Sequence, residues 1–412
     1  MLPAGPEMEE HEARPLDKEV ADFYAWLTRL RQDGPVMFDQ SLRAWQIFGY
    51  DEALQVLSDP SFSADMRAAS RAAGVDTPIP PVIERLTSAS FFTMEPARHR
   101  AFRGLVSQAF SRRLVNTLAP RVAETATAIL DGLDGTGTFD LLERFAYPLP
   151  MIVLCDLLGI PHDDRRAFQS WASALTDPAA AQAAGADRLG EELEQLEQYL
   201  HELVQRRRRE PDGDLLSRLA AAEVDGEPLT EDEVVSLAAV MLLAGHNTTT
   251  MLLANLVVCL DENPAASAAV RADRKLLPAA IEEVFRYRGP LPRALRLATR
   301  DTEVAGHTVP AGAPVVVWTA AANWDPAQFP EPDRFDLHRT SNRHLGFGHG
   351  MHFCLGAPLA RVVAEIAMSL LMDRCSRIAV ARDEPLAYPA PRVNLAPARL
   401  PVNVRWAAPA AR

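Results

Sequence analysis

Apolar residues recur with the period of an α-helix through most of the chain between residues 96 and 260. The longest such stretch, residues 237–260, is largely apolar and follows Thr230-Glu231-Asp232-Glu233. That sequence is typical of a capping box, with acidic residues in the first turn of a helix. Asn263 and Pro264 end the pattern. We therefore expect one helix of about thirty residues, which would span roughly 45 Å.

The same stretch is also long enough to cross a bilayer. Its centre, however, reads Gly245-His246-Asn247-Thr248-Thr249-Thr250. Polar groups of this kind are costly in the middle of a membrane. The pattern therefore favours a core helix in a protein that does not associate with a membrane.

Outside this region the pattern changes to short alternating segments. We expect strands at residues 36–38, 45–48, 304–308 and 314–318, the last two around a turn at 310–312, and a helix at 51–57. Residues 63–90 carry glycine and prolines and predict a long irregular loop, and residues 179–190 predict a mobile connection. The fold class is thus mainly α with small β-sheets (α+β). Because no linker divides the chain, we expect a single domain over 1–412 with a flexible segment at 1–20.

Composition and charge narrow the class of protein. The 412 residues are 48% hydrophobic and 24% charged, as in ordinary globular proteins. A net charge of −13 argues against nucleic acid as a partner, because a basic footprint is missing. The four cysteines show no paired spacing, which favours reduced thiols. The N-terminal twenty residues lack the apolar core of a signal peptide, so we expect a cytoplasmic protein.

One of these cysteines, Cys354, lies in a glycine-rich segment ahead of a helical run at 357–377. Glycines at 346, 348 and 350 permit positive φ and let the backbone lie flat against a planar group. At the start of the helix, free N–H groups and the helix dipole favour a thiolate. A lone cysteine among apolar residues is otherwise most often an inert core thiol.

The spacing of the segment decides between these interpretations. It resembles the haem-binding loop of the cytochrome P450 superfamily at every fixed position of Phe347-Gly348-x-Gly350-x-His352-x-Cys354-x-Gly356. The resemblance covers nearly the whole chain and is strongest to the soluble bacterial type. It implies the P450 fold, a triangular domain with one haem b. It also implies that Cys354 ligates the iron and that Phe347, Gly348 and Gly356 contact the haem.

Further residues take roles by the same resemblance. Four of them would bind the haem propionates: His99, Arg103, Arg296 and His352. Each of these taken alone would be unremarkable. Glu283 and Arg286 share one helix face and can pair. In the family this pair bonds to an arginine in a following Pro-x-x-Phe segment, which would be Arg334, and the implied role is structural.

The long helix resembles the family's oxygen-activation segment at 244–248. Ala244 would leave room over the iron, and the Thr248 hydroxyl could bond back to the carbonyl of Ala244 and loosen the helix. The alternative is that the three threonines only satisfy their own hydrogen bonds in a core. Asn247 stands where the family usually has an acid, and an amide does not titrate. Proton delivery would then use Thr248 and water, a substrate group, or His246, which we expect to turn away.

The resemblance implies insertion of one oxygen atom from O2 into a hydrophobic molecule, such as a terpenoid, polyketide or peptide-like natural product. Pocket residues would be Val240, Leu243, Ala244, Leu291, Pro292 and Asn394, although each could be ordinary core. Arg293 could bind an acidic substrate, but we expect it to face solvent or the propionates. A ferredoxin and an NAD(P)H-dependent reductase would supply electrons to a monomeric enzyme, docking near Arg112, Arg113 and Arg361.

Two other functions remain open. Asn247 is compatible with a haem-thiolate enzyme that uses peroxide or couples radicals. The same residue is compatible with a monooxygenase that leaks peroxide. A non-catalytic haem or ligand-binding protein is the more distant alternative.

Overall fold

The computed structural model describes residues 14–65, 81–88, 96–110, 112–165, 167–168, 171 and 186–407. These residues include every predicted strand and the whole of the long predicted helix. Most of the predicted loop at 63–90 lies outside them, as do residues 179–185 of the predicted connection and residues 1–13 of the predicted N-terminal segment.

Helices dominate the described part of the chain. They are α1 Lys18–Asp33, α2 Tyr50–Ser58, α3 Pro81–Leu86, α4 Pro96–Ala109, α5 Arg112–Asp131, α6 Pro148–Leu158, α7 Ala186–Arg209, α8 Leu215–Ala220, α9 Glu231–Glu262, α10 Pro264–Ala272, α11 Leu277–Arg288, α12 Thr319–Asn323 and α13 Ala357–Arg374. The predicted helix at 51–57 is confirmed as α2. The run predicted at 357–377 ends at Arg374, because residues 375–380 form a strand.

Strands form small sheets at the edges of this helical body. They are β1 Val36–Asp39, β2 Ala44–Ile47, β3 Phe62–Ser63, β4 Thr138–Asp140, β5 Glu223–Val224, β6 Glu227–Pro228, β7 Ala294–Ala298, β8 Thr302–Val304, β9 His307–Val309, β10 Pro314–Val317, β11 Cys375–Val380 and β12 Pro401–Trp406. The largest sheet has the order β1-β2-β10-β7-β3. The strand predicted at 304–308 is wrong, since a turn with positive φ at Ala305 and Gly306 divides it into the β8–β9 hairpin.

Helix α9 is the centre of the fold. Both arms of its capping box are present: the Glu233 N–H donates to Thr230 Oγ1 at 3.2 Å, and the Thr230 N–H donates to Glu233 Oε2 at 2.9 Å. The helix is long and apolar enough to cross a membrane, but 72% of its most apolar window is buried inside the protein. It contacts α7, α6, α11 and α13. The prediction of a core helix is therefore confirmed, and α9 forms one wall of a cavity that Cys354 also lines.

Candidate functional site

A cavity of about 490 Å³ lies between α9, β7 and the segment that precedes α13. Its wall includes many of the predicted site residues: Val240, Ala244, Thr248, Leu291, Arg103, Arg296, Phe347, Gly348, His352, Cys354 and Gly356. Among the residues predicted for the substrate pocket and for oxygen activation, four are not part of that wall: Leu243, Asn247, Pro292 and Asn394. For Leu243, Pro292 and Asn394 the pocket prediction is wrong. Residue spacing alone did not determine which side of each element faces the cavity.

The glycines before Cys354 act in two ways. Gly348 and Gly350 have φ of 71° and 67°, the left-handed region that favours glycine. Gly346 does not share this conformation. A Cβ on Gly346 would lie 2.8 Å from the carbonyl oxygen of Phe285, so this glycine is needed for close packing against α11. The expectation that all three glycines serve positive φ holds for two of them.

The sulfur of Cys354 faces the cavity at the N-terminus of α13. The backbone N–H of Cys354 donates to the Phe347 carbonyl at 2.8 Å, and the N–H groups of Gly356 and Ala357 point to the sulfur. Burial nevertheless raises the pKa of the Cys354 thiol, and it outweighs these N–H groups and the nearby Arg103 guanidinium, which lower it. The helix start thus favours the thiolate, as expected, but it does not outweigh burial. A bound metal ion would reverse the balance, because a coordinating thiol loses its proton.

The remaining three cysteines are buried and do not compete for this role. Burial raises the pKa of Cys155 and of Cys259 to about 12, and that of Cys375 to about 11. Such thiols stay neutral and inert. Among the described residues, no group of three His, Cys, Asp or Glu side chains could hold a metal ion.

The predicted propionate partners form a cluster of cations and imidazoles. The rings of His99 and His352 lie 4.7 Å apart. Burial lowers the pKa of both histidines, that of His352 to about 4, and it lowers the pKa of Arg296 to about 10. Within the described part of the chain, Arg103 and Arg296 have no carboxylate at ion-pair distance, and Arg103 donates to the Phe353 carbonyl. The two arginines, of which Arg296 is buried and Arg103 half-buried, call for an anionic ligand.

These features fit the group that the resemblance implies. Haem is flat, carries two propionates and takes one axial ligand from the protein. The cavity offers one thiol, a cationic cluster without a matching acid among the described residues, and largely apolar walls. His99 does not line the cavity, but it contacts His352, which does. His99 therefore lies behind the cavity wall and supports His352.

Glu283 and Arg286 form the predicted pair in full burial. Two guanidinium nitrogens of Arg286 donate to the two carboxylate oxygens of Glu283 at 2.7 and 2.9 Å, and both side chains are 0% exposed. Arg286 also donates to the carbonyls of Pro332 and Arg334. The pair thus joins α11 to the segment that leads to the cysteine loop.

The predicted role of Arg334 is wrong. Only its carbonyl reaches the pair, and its exposed guanidinium contacts Glu331 at 3.3 Å. Arg339 takes the expected place, with Nε at 3.3 Å from both oxygens of Glu283, and the Asn342 amide donates to the same carboxylate at 3.1 Å. The carbonyls of Pro332 and Arg334 face the Glu283–Arg286 pair, and the Arg334 side chain does not. The additional cation is therefore Arg339, four residues beyond Phe335.

A second ionic cluster behind the cysteine loop was missed by sequence reasoning. Arg361 donates to both oxygens of Glu282 at 2.6 and 2.8 Å and stacks over the ring of Phe347 at 4.5 Å. His344 Nε2 lies 3.1 Å from Glu282, and its Nδ1 accepts from the Gly346 N–H. Arg361 therefore supports the loop instead of being free to dock a partner. The side chains of Arg112 and Arg113 lie outside the described residues.

On the opposite wall, the Thr248 hydroxyl donates to the Ala244 carbonyl at 2.8 Å, as predicted. Thr249 and Thr250 make the same bond to Gly245 and His246, so this bond does not distinguish Thr248. The expected loosening is not observed, since residues 244–250 remain α-helical. Thr248 and Thr249 line the cavity, whereas Thr250 does not.

His246 is turned away from the cavity, as expected. Its ring packs edge-on against Tyr147 at 4.2 Å, and burial lowers its pKa to about 4. Asn247 is partly exposed but does not line the cavity. Of the side chains considered for proton delivery, only Thr248 is on the cavity wall.

Comparison with known proteins agrees with this geometry. A model of the cytochrome P450 family matches residues 185–399. The chain is 41% identical to the cyclomarin C epoxidase of Salinispora arenicola (strain CNS-205), over 87% of this chain and 90% of that protein. It is 39% identical to the cytochrome P450 monooxygenase PikC of Streptomyces venezuelae, over 94% of this chain and 91% of that protein.

Among solved structures, a hydroxylase involved in himastatin biosynthesis is similar at a TM-score of 0.83 and 38% identity, covering 94% of this chain and 98% of that chain. P450 TbtJ1 has the same TM-score and identity over 95% of this chain and 99% of that chain. The helix-rich architecture with small sheets is thus the P450 fold. A family match over half of the chain and relatives this similar over most of it show that the chain belongs to the cytochrome P450 family, as a monooxygenase with haem b as its cofactor.

Proposed function

We propose that the enzyme inserts one oxygen atom from O2 into a hydrophobic natural product bound between α9 and the haem. One observation carries the proposal: a thiol, a cationic cluster and an apolar wall surround a single cavity of about 490 Å³. In this arrangement Cys354 would hold the iron. His99, Arg103, Arg296 and His352 would hold the propionates. Haem b, when bound, supplies the dioxygen and one-electron chemistry of the reaction.

On the α9 side, the protein contributes open space in the cavity and a hydroxyl group that can deliver a proton. Ala244 leaves the wall open, because a methyl group is the only side chain there. The Thr248 hydroxyl is held by the Ala244 carbonyl and can accept a hydrogen bond from a water molecule or from the substrate. Proton delivery is therefore assigned to Thr248 and water, with Asn247 outside the cavity.

The substrate is proposed from the wall and from the relatives. The wall on the α9 side is mostly apolar, with Val240, Met241 and Leu252 among its residues, which suits an apolar ligand oriented by few polar groups. Relatives include a cyclomarin C epoxidase and an erythromycin C-12 hydroxylase. We therefore assign a terpenoid, polyketide or peptide-like natural product to this cavity.

Electrons are proposed to come from a ferredoxin and its NAD(P)H-dependent reductase, in a monomeric cytoplasmic enzyme. One observation on the relatives supports an external donor. The cyclomarin C epoxidase and PikC are matched over about nine-tenths of their length by the P450 chain alone.

Asn247 favours one competing function, which is oxidation driven by peroxide or radical coupling. An amide cannot deliver protons in sequence, so the reductive route loses one of its usual donors. Peroxide brings its own protons and electrons and would not need that donor.

The deciding experiment compares two ways of driving the purified enzyme on the same panel of natural products. Substrates are first selected by the spin-state shift of the ferric iron that follows displacement of water. We expect product with a ferredoxin, its reductase and NAD(P)H, and much less with hydrogen peroxide alone. Product with peroxide only would establish the competing function. Tight binding without any turnover would indicate a ligand-binding protein.

A further inference from the structure

Two arginines and two tryptophans form a chain of contacts beside the cavity. The guanidinium of Arg293 lies 5.7 Å from the ring centre of Trp318, and that of Arg392 lies 4.2 Å from the ring centre of Trp26. The two indoles touch edge-to-face, with centroids 5.0 Å apart and an interplanar angle of 83°. The indoles thus hold two cations on one side of the molecule.

Neither guanidinium is matched by an acid in the described part of the chain. No carboxylate there lies within ion-pair distance of Arg293 or Arg392, and neither guanidinium makes a hydrogen bond to a described residue. Burial, with the like charge of Arg392, lowers the pKa of Arg293. Two cations brought together without an acid are unfavourable in the free protein, and an anion would relieve that cost.

The position of Arg293 relates this cluster to the substrate. Arg293 lines the cavity next to Leu291, which also lines it and is 44% exposed. Val393, the neighbour of Arg392, is 47% exposed. The cluster therefore runs from the cavity wall, at Arg293, to the exposed Arg392, which does not line the cavity.

Arg293 packs on Trp318, whereas the propionate cluster is centred on the contact between His99 and His352. The cations whose fields reach His352 are Arg296, His99 and Arg103. Arg392 is the charged group whose field reaches Arg293. Arg293 is thus available to a second anion, distinct from the haem.

We propose that Arg293, assisted by Arg392, binds a carboxylate of the substrate at the open end of the cavity. The substrate is then an amphipathic acid, whose apolar part extends inward along Val240 and Ala244. A guanidinium suits a carboxylate because it can donate two parallel hydrogen bonds. This assignment rests on the proposed function, since it concerns the substrate of that same cavity.

The test uses alkanoic acids that carry a terminal imidazole, in a series of chain lengths, and their methyl esters. The imidazole binds the iron of the haem-loaded enzyme, so that every probe gives a spectral Kd while its other end samples the cavity mouth. At the best chain length we expect the acid to bind about tenfold more tightly than its ester. Added salt should reduce this preference.

Variants assign the preference to the proposed residues. Arg293→Gln should abolish most of the acid preference and leave the Kd of the ester unchanged. Arg293→Lys should keep part of it, and Arg392→Gln should lose a smaller part. Arg377→Gln, an exposed arginine on β11, is the matched control and should behave like the unaltered enzyme.

Three results would overturn the proposal. The first is equal binding of acid and ester at every chain length. The second is an acid preference that survives Arg293→Gln. The third is an equal loss for acid and ester in Arg293→Gln, which would mean that Arg293 only supports Trp318. A thiolate-type spectrum of the reduced carbon monoxide complex, measured alongside, would show that the haem site itself is intact in each case.

Discussion

The two walls of the cavity are built in opposite ways. On the cysteine side, two ionic clusters centred on Glu282 and Glu283 connect α11 to the loop. Gly346 packs so closely against Phe285 that no side chain would fit there. On the α9 side, the threonines bond to their own helix, and His246 and Asn247 do not reach the cavity. One wall is held by charges from distant segments, and the other offers apolar surface with little polar chemistry.

This difference separates two tasks. A ligand to iron must be positioned with little freedom, which favours buried and fully bonded supports. A substrate-binding wall needs a complementary shape and must exclude water, which apolar side chains achieve without hydrogen-bond partners. We therefore expect changes on the cysteine side to affect stability and haem binding, and changes on the α9 side to affect the use of electrons.

The largest effect is expected from breaking the cluster around Glu283. Glu283→Gln leaves the fully buried Arg286 with a weakened partner and should lower the free energy of unfolding by about 3–5 kcal/mol. Arg339→Gln should cost about 1–3 kcal/mol. Arg334→Gln, whose side chain is exposed, should change stability by less than about 0.5 kcal/mol. Urea unfolding followed by circular dichroism measures all three.

The two arginine variants decide the assignment even if Glu283→Gln does not fold. A larger loss from Arg334→Gln than from Arg339→Gln would contradict the observed contacts and restore the assignment made from sequence.

Next in size is the effect of removing the hydroxyl on the α9 wall. Thr248→Ala should lower the product formed per electron consumed by about tenfold, because it removes the cavity hydroxyl to which proton delivery is assigned. Thr250→Ala is the matched control, since Thr250 makes the same bond to its own helix outside the cavity. The measurement is product against NAD(P)H oxidised and peroxide released. Equal losses in both variants would mean that the threonines act only on the helix.

The pH dependence of stability should reveal the contribution of the second ionic cluster, in which Glu282 contacts Arg361 and His344. The pKa of Glu282 is lowered from 4.5 to about 2 because hydrogen bonds from Arg361 and His344 outweigh burial. Its stabilising contribution is therefore complete above the unfolded pKa of 4.5 and is lost as the pH falls through about 2. The free energy of unfolding of Glu282→Gln should thus fall less steeply with acidification than that of the unaltered enzyme.

The control for this series is Glu331→Gln, which alters an exposed ion pair. Its stability should run parallel to that of the unaltered enzyme over the whole pH range. Parallel curves for Glu282→Gln as well would show that the Glu282–Arg361 pair does not stabilise the loop.

The smallest effect is expected for Asn247→Asp. An acid at this position could restore a titrating group, but the side chain does not line the cavity. We expect the product formed per electron to rise by about twofold at most. No rise at all would show that the amide does not limit proton delivery and would remove the argument for peroxide leakage.

Much of this molecule could be predicted from local signals. The capping box at Thr230, the end of α9 near Pro264 and the pairing of Glu283 with Arg286 each depend on residues a few positions apart. The cysteine loop was recognisable because its glycines and Cys354 have fixed spacing. Such features are encoded over one or two turns of the backbone, where sequence distance and spatial distance agree.

The errors arose where distant segments meet. Arg339 replaces Arg334 because the inward direction of a side chain between 332 and 339 depends on the packing of an irregular segment. The helix start lowers the pKa of Cys354 as expected, but sequence does not reveal the burial that outweighs it. The contact of Arg293 with Trp318 could not be predicted either, since the two residues lie 25 positions apart along the chain.

We infer that the cysteine-side wall presents Cys354 to the iron as a thiolate. The spectrum of the reduced carbon monoxide complex is the decisive measurement, because the position of its main band reports the axial ligand. We expect the red-shifted band of a thiolate-ligated haem in the purified enzyme, and its loss in Cys354→Ser but not in Cys375→Ala. A band typical of a neutral ligand in the unaltered protein would contradict it.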